Sequence, residues 1–248
     1  MNKPQKMNWL PLAVLGAGIL GALLRLWLFA TGLDSKDLLV SSHIAQVLLW
    51  ILTVAVMVFL ALCSSQLKQA AKYKFNFPAS PVGAIGCAAA ALGILIASVS
   101  GIFGGNDTME TATGILGLFS AAALSFLGFC RLKGRHPSIL FHAVVCVHLM
   151  LYLVCLYRMW SSDPQIQDYC FSLLAVVCVM LASYYDAGFA ANTGSRQMHT
   201  FFHLATVYFC LVSLPRCHDT LIHLALGVWM LTNLCDLTPM PRAFQKAE

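Results

Sequence analysis

The chain has 248 residues, of which 59% are hydrophobic and only 10% are charged. Soluble globular proteins contain about 45–50% apolar and about 25% charged residues, so this composition excludes an ordinary soluble protein and indicates an integral membrane protein. The formal net charge of +5 requires no nucleic-acid partner, because the basic residues are spread over loops that would face a negatively charged lipid leaflet. The lipid bilayer is therefore the expected partner.

Eight apolar runs follow one another along the chain. A helix needs about 20 mostly apolar residues to cross about 30 Å of hydrocarbon, and most of the runs reach that length. We therefore predict an all-α polytopic bundle in which residues 1–248 form a single transmembrane domain. The predicted spans cover about residues 9–32, 43–63, 82–104, 114–130, 138–160, 168–188, 200–214 and 220–237. The seventh run is short, and a seven-span alternative would merge or half-insert the seventh and eighth.

The distribution of lysine and arginine predicts the orientation of these spans. Cytoplasmic loops of membrane proteins carry an excess of both residues. With eight spans and a cytoplasmic N-terminus, all basic side chains lie inside except Lys36, Arg158, Arg216 and the intramembrane Arg25. We therefore expect both termini in the cytoplasm and a multi-pass protein of the bacterial plasma membrane.

No sequence motif of known chemistry accompanies the spans. The ten cysteines contain no C-x-x-C pair, and both H-E-x-x-H and G-x-S-x-G are absent. The common redox, zinc-ribbon and hydrolase signatures are therefore missing. The sequence names no catalytic residue and no cofactor, and it favours a protein that is not an enzyme.

Arg25 is the most informative single residue, because it lies about 10 Å inside the outer end of the first span at 1.5 Å per residue. An arginine at that depth is costly unless it snorkels, pairs or meets water, and intramembrane ionisable groups are functional candidates. Under the predicted topology, other polar residues approach the same outer half of the bundle. The candidate set is Arg25, His43, Gln46, Arg158, Asp163, Asp168, Asp219 and His223. It predicts an outward-facing polar vestibule suited to a small polar or anionic ligand.

A second polar set lies near the predicted inner boundary and consists of His142, Asp186, His199 and His203. Residues four apart share one face of a helix, and two such histidines with an aspartate have the donor types of a metal site. Polar contact between helices is the alternative explanation. Without a further local signature we predict no metal site, and these four residues remain the candidates.

The segment Trp160 to Tyr169 has the pattern W-S-x-D-P-x-x-Q-D-Y. Together with Leu24-Arg25-Leu26-Trp27, it resembles sequences of uncharacterised bacterial multi-span membrane proteins. The resemblance implies a polytopic membrane protein without a known activity, and it carries over no functional residue. Read locally, the segment is a helical hairpin connection in which Asp163 can cap the following helix.

Three classes of function remain open. The leading hypothesis is a permease-like or ligand-sensing bundle with its vestibule around Arg25. The second is a membrane oxidoreductase that binds haem through intramembrane histidines, because imidazole is a standard haem ligand. The histidines concerned are His43 and His223 toward one side, with His142, His148 and His203 toward the other. The third is an accessory or structural subunit that binds another membrane protein or a second copy of itself.

Overall fold

The computed structural model describes residues 9–32, 43–104, 107–161, 169–215, 217 and 219–237. The described residues form helices joined by loops and contain no β-strand. The helices are α1 (Trp9–Thr31), α2 (Ile44–Ser65), α3 (Tyr73–Asn76), α4 (Pro81–Gly104), α5 (Thr108–Lys133), α6 (Ile139–Trp160), α7 (Cys170–Ala190), α8 (Arg196–Ser213) and α9 (Thr220–Cys235).

The eight long helices run alternately between two ends of one bundle. We name these ends after a residue that each contains, the Asp186 end and the Asp219 end. Helices α1, α4, α6 and α8 run toward the Asp219 end, and α2, α5, α7 and α9 run back. Both the start of α1 and the end of α9 therefore lie at the Asp186 end.

Six helices are long and apolar enough to cross a membrane, namely α1, α2, α4, α5, α6 and α7. Large apolar side chains such as Leu12, Phe103 and Leu140 are exposed on the outside of the bundle. A surface of this kind suits lipid rather than water. The predicted all-helical, membrane-spanning class is confirmed at this level. Helix α5 extends beyond the fourth predicted span, 114–130, at both ends, and its first turn from Thr108 is polar, which an apolar pattern does not detect.

Helix α8 is the central helix of the bundle. It packs against α1, α2, α7 and α9, and its polar residues His199, His203 and Thr206 are buried together with most of its other side chains. A helix enclosed by other helices does not have to present an apolar surface to lipid. Its position explains why α8 is more polar than the helices around it.

The short helix α3 and the next residue, Phe77, cover the Asp186 end. Tyr73, Phe77 and Phe189 form a small buried aromatic cluster there. The guanidinium of Arg131 lies 3.8 Å from the centroid of the Phe77 ring and 5.5 Å from that of Tyr73. Burial raises the pKa of the Tyr73 phenol, which therefore stays neutral beside the arginine. This cluster closes the Asp186 end over the first turn of α8.

Candidate functional site

Arg25 is buried inside the protein, with 2% of its surface exposed. Its Nη1 atom donates a hydrogen bond of 3.0 Å to the backbone carbonyl of Val212, one of the carbonyls that the end of α8 leaves without a helical partner. The guanidinium also lies 5.3 Å and 5.5 Å from the ring centroids of Phe29 and Phe171. Arg25 therefore faces protein and not lipid.

Asp219 and His223, at the start of α9, lie on the same side of the bundle interior. His223 is close enough to Arg25 to interact with it electrostatically. Its Nδ1 atom lies 3.0 Å from the Asp219 carbonyl oxygen and 3.2 Å from Sγ of Cys217. Burial raises the pKa of the Cys217 thiol, which stays protonated at neutral pH. The hydroxyl of Tyr152 donates a hydrogen bond of 2.7 Å to the Asp219 carboxylate.

His43 and Gln46 belong to the contact between α1 and α2. His43 caps α2, because its Nδ1 atom accepts a hydrogen bond of 3.3 Å from the backbone N–H of Ala45. Its Nε2 atom lies 3.3 Å from Oγ1 of Thr31. The Oε1 atom of Gln46 is buried and has no hydrogen-bond partner among the described residues.

Arg158 is the other described residue of the predicted vestibule, and it lies at the surface. Arg158 forms a surface ion pair of 3.4 Å with Asp107, and each side chain is about half exposed. Asp163 and Asp168 lie outside the described residues. Of the predicted set, the structure thus brings together Arg25, Asp219 and His223.

A cavity of about 380 Å³ opens between α4, α5, α6 and α9 at the Asp219 end. Its lining includes the ionisable side chains of Glu110, His148 and Asp219, and Tyr152 and Cys155 add a hydroxyl and a thiol. No lysine or arginine is among the described residues that line it, and Arg25 does not reach it. The rest of the wall includes Ile94, Ser98, Thr113, Leu156, Met159 and Ile222. We call this space the Asp219 cavity.

At the opposite end, the structure assembles most of the second predicted set. Nε2 of His199 lies 2.9 Å from Oδ1 of Asp186, and Nε2 of His203 lies 3.4 Å from Oδ2. All three residues are buried. His142 is also buried and interacts electrostatically with Asp186 and His203, but it is not a member of this close group of donor atoms.

Several residues at these two places were missed by reasoning from the sequence. Glu110 precedes the apolar run that marked the fourth span. His148 was considered only as a haem ligand, and Tyr152 was not considered, although the two are four residues apart and share a face of α6, which was the available signal. Asn233 donates a hydrogen bond of 3.1 Å to Oδ2 of Asp186, and no local pattern in α9 pairs it with an aspartate 47 residues earlier.

Six helices that are long and apolar enough to cross a membrane indicate a multi-pass integral membrane protein. Comparison of the chain with protein-family models, with curated proteins and with solved structures found no match. No activity is therefore assigned by similarity.

Proposed function

We propose that the protein is a permease-like or ligand-sensing membrane bundle that binds a small cationic molecule in the Asp219 cavity. The observation that carries this function is the lining of that cavity, where Glu110 and Asp219 meet apolar walls and no lysine or arginine is present among the described residues. Small-molecule sites have volumes of about 300–1,000 Å³ and combine mostly apolar walls with a few placed polar groups. The cavity has that size and that composition.

The charge of the lining selects the ligand. A carboxylate only accepts hydrogen bonds, whereas an ammonium group only donates them. Tyr152 donates to Asp219 and so orients the carboxylate in the wall of the cavity. An ammonium group between Asp219 and Glu110 would be attracted by both carboxylates. A cationic ligand is therefore favoured over an anionic one, which was among the small polar or anionic ligands that the sequence suggested.

Arg25 supports this site without entering it. Its hydrogen bond to Val212 fastens α1 to the last turn of α8, and the chain reaches Asp219 seven residues further on. The vestibule was predicted around Arg25, but the arginine lies in the protein interior. The open space lies instead between α4, α5, α6 and α9.

We place all eight long helices across the membrane, with the Asp219 cavity open to the outside. At 1.5 Å per residue, α8 and α9 are about 27 Å and 24 Å long, slightly less than the hydrocarbon core. Their short length and the polarity of α8 are tolerable because other helices surround them. The basic residues Lys68, Lys72, Arg131, Lys133 and Arg196 belong to the Asp186 end, which supports a cytoplasmic position for that end.

Thermal unfolding of the purified protein in detergent tests the ligand class. The panel contains primary amines and quaternary ammonium compounds with neutral and anionic analogues of the same size. We expect only the cations to raise the melting temperature, and Asp219→Asn or Glu110→Gln to remove that response. Asp107→Asn is the matched control, because Asp107 is an exposed acid at the same end that pairs with Arg158. Stabilisation by the anions alone, or by no member of the panel, would overturn the proposal.

A labelled cation identified in this way then separates a permease from a sensor. Proteoliposomes containing the protein accumulate the label by exchange if the protein is a permease. Binding without exchange indicates a sensor. Two other functions give different results on the same sample: a haem oxidoreductase shows an intense visible absorption band, and an accessory subunit co-purifies with a membrane protein partner and shows no response to the panel.

A further inference from the structure

We propose that Asp186, His199 and His203 bind a divalent transition-metal ion of the Zn²⁺ type, at a site separate from the Asp219 cavity. Asp219 and Asn233 mark the two ends of α9, so the two sites are about 21 Å apart at 1.5 Å per residue. We call the three residues the Asp186 triad. Its support comes from donor geometry, hydrogen bonding, supporting contacts and burial.

The donor atoms of the triad converge on one point. One ligand atom from each residue lies within 4.8 Å of the other two, and the closest approaches of the two imidazoles to the carboxylate are 2.9 Å and 3.4 Å. Zinc binds histidine nitrogen and carboxylate oxygen at about 2.0–2.2 Å, so tetrahedral ligand atoms are about 3.3 Å apart. The triad is therefore close to the spacing that a bound ion requires.

The hydrogen bonding of the triad is incomplete in the way that a metal would complete it. Nε2 of His199, Nε2 of His203 and Oδ1 of Asp186 are buried, and none makes a hydrogen bond with a described residue. The two nitrogens lie 2.9 Å and 3.4 Å from the carboxylate oxygens, but neither contact has the geometry of a hydrogen bond. Buried polar atoms are rarely left in this state. A shared cation would satisfy all three atoms at once.

The contacts of His203 and Asp186 resemble the outer shell of a metal site. Nδ1 of His203 lies 2.7 Å from the backbone carbonyl of His199, a contact in which Nδ1 carries the proton and Nε2 keeps its lone pair. Asn233 donates a hydrogen bond to Oδ2 of Asp186. Metal-binding histidines usually donate their second ring N–H to a carbonyl or carboxylate, and metal-binding carboxylates are themselves hydrogen-bonded.

An ion pair between Asp186 and a protonated histidine is the competing explanation. The two imidazole rings are stacked with centroids 3.7 Å apart, so protonation of both would place like charges in contact. A single protonated ring would leave the other nitrogen without a partner. A divalent ion instead uses both neutral rings and the carboxylate.

The proposed ion would connect two helices, and the site lacks the general base of a metalloprotease. His199 and His203 have the spacing of the two histidines in H-E-x-x-H, but Thr200 stands where that motif has its general base. The Phe77 and Phe189 rings lie 5.5 Å and 5.4 Å from that of His199 and close the site. The ion would join the end of α7 to the start of α8. A water molecule or His142 would complete the four ligands.

Metal binding is tested on the full-length protein in detergent after treatment with a chelator. Dialysis against Zn²⁺, followed by metal analysis, should give about one ion per chain for the wild type. Asp186→Asn, His199→Gln and His203→Gln should each lose most of it. His136→Gln is the matched control, because His136 is an exposed histidine at the same end that packs on Tyr73. Equal zinc content in the wild type and the triad variants would overturn the site.

A second measurement needs no variant and remains decisive if the triad variants do not fold. Co²⁺ added to the chelator-treated wild type should produce the intense visible bands of four-coordinate cobalt, and Zn²⁺ should abolish them. Zn²⁺ should also raise the melting temperature of the wild type. A spectrum identical to that of Co²⁺ in detergent buffer would overturn the proposal.

Discussion

The guanidinium of Arg25 donates a hydrogen bond of 3.0 Å to the carbonyl oxygen of Val212, across 187 residues of sequence. The contact joins the last two turns of α1 to the end of α8, the central helix. A cation at the C-terminus of a helix is also favoured by the helix dipole. Arg25 therefore has a structural role. Its substitution should change the stability of the protein without changing the proposed binding of a ligand.

Arg25→Met should lower the stability of the protein and leave the selectivity of the Asp219 cavity for cations unchanged. The variant leaves the buried Val212 carbonyl without this donor, and hydrogen bonds to charged groups contribute about 1.5–3 kcal/mol. Chemical or thermal unfolding in detergent measures the loss. Arg158→Met is the control, because its exposed ion pair with Asp107 should contribute less than about 1 kcal/mol. Equal stability of the two variants would contradict the structural role of Arg25.

Tyr152→Phe should weaken the binding of cations by roughly tenfold without changing the charge of the cavity. The substitution removes the hydroxyl that donates to Asp219 at 2.7 Å, and a hydrogen bond to a carboxylate is worth about 1.5–3 kcal/mol. Titration with the cation found by thermal unfolding gives the change in affinity. Tyr157→Phe, on an exposed position of the same helix, should bind normally. Unchanged affinity in Tyr152→Phe would show that the ligand does not depend on the oriented carboxylate.

Gly93→Leu should destabilise the bundle by separating α4 from α9. Even a Cβ atom at Gly93 would lie 2.5 Å from Cβ of Ala225, and membrane helices rely on small residues for close contact. We expect a loss of about 1–3 kcal/mol or more, typical of overpacking, measured by thermal unfolding. Gly16→Leu is the matched control, since a Cβ there meets no atom within 4 Å. A normal melting temperature for Gly93→Leu would mean that the α4–α9 contact is looser than described.

The positions of the helices were predictable from the sequence because most of them face lipid. Hydropathy detects an apolar surface, and α1, α2, α4, α6 and α7 therefore match the predicted spans within a few described residues. Hydropathy does not detect helical residues that are polar, and this chain contains two such segments. The first turn of α5 is polar although it is helical, and α8 is polar because protein surrounds it.

The candidate sites were predictable only where a single helix carries the pattern. His199 and His203 were paired from their spacing, and Asp186 was added to them from its position near the same boundary. Asn233, which supports Asp186, depends on the pairing of α7 with α9, which no local sequence feature specifies. The Asp219 cavity combines α4, α5, α6 and α9, so its lining follows from the packing order of the helices.

Asn233→Ala should reduce the affinity of the Asp186 triad for Zn²⁺ by roughly 10–100-fold, the usual effect of losing a residue that orients a metal ligand. The amide of Asn233 donates to Oδ2 of Asp186 but lies outside the triad, so the variant keeps every proposed ligand and still binds zinc at high concentration. Competition with a chelator of known affinity measures the change. Gln197→Ala is the control, because Gln197 is a polar residue at the same end that bonds to the end of α2. If both variants retain wild-type affinity for Zn²⁺, Asp186 does not bind the ion in the orientation described.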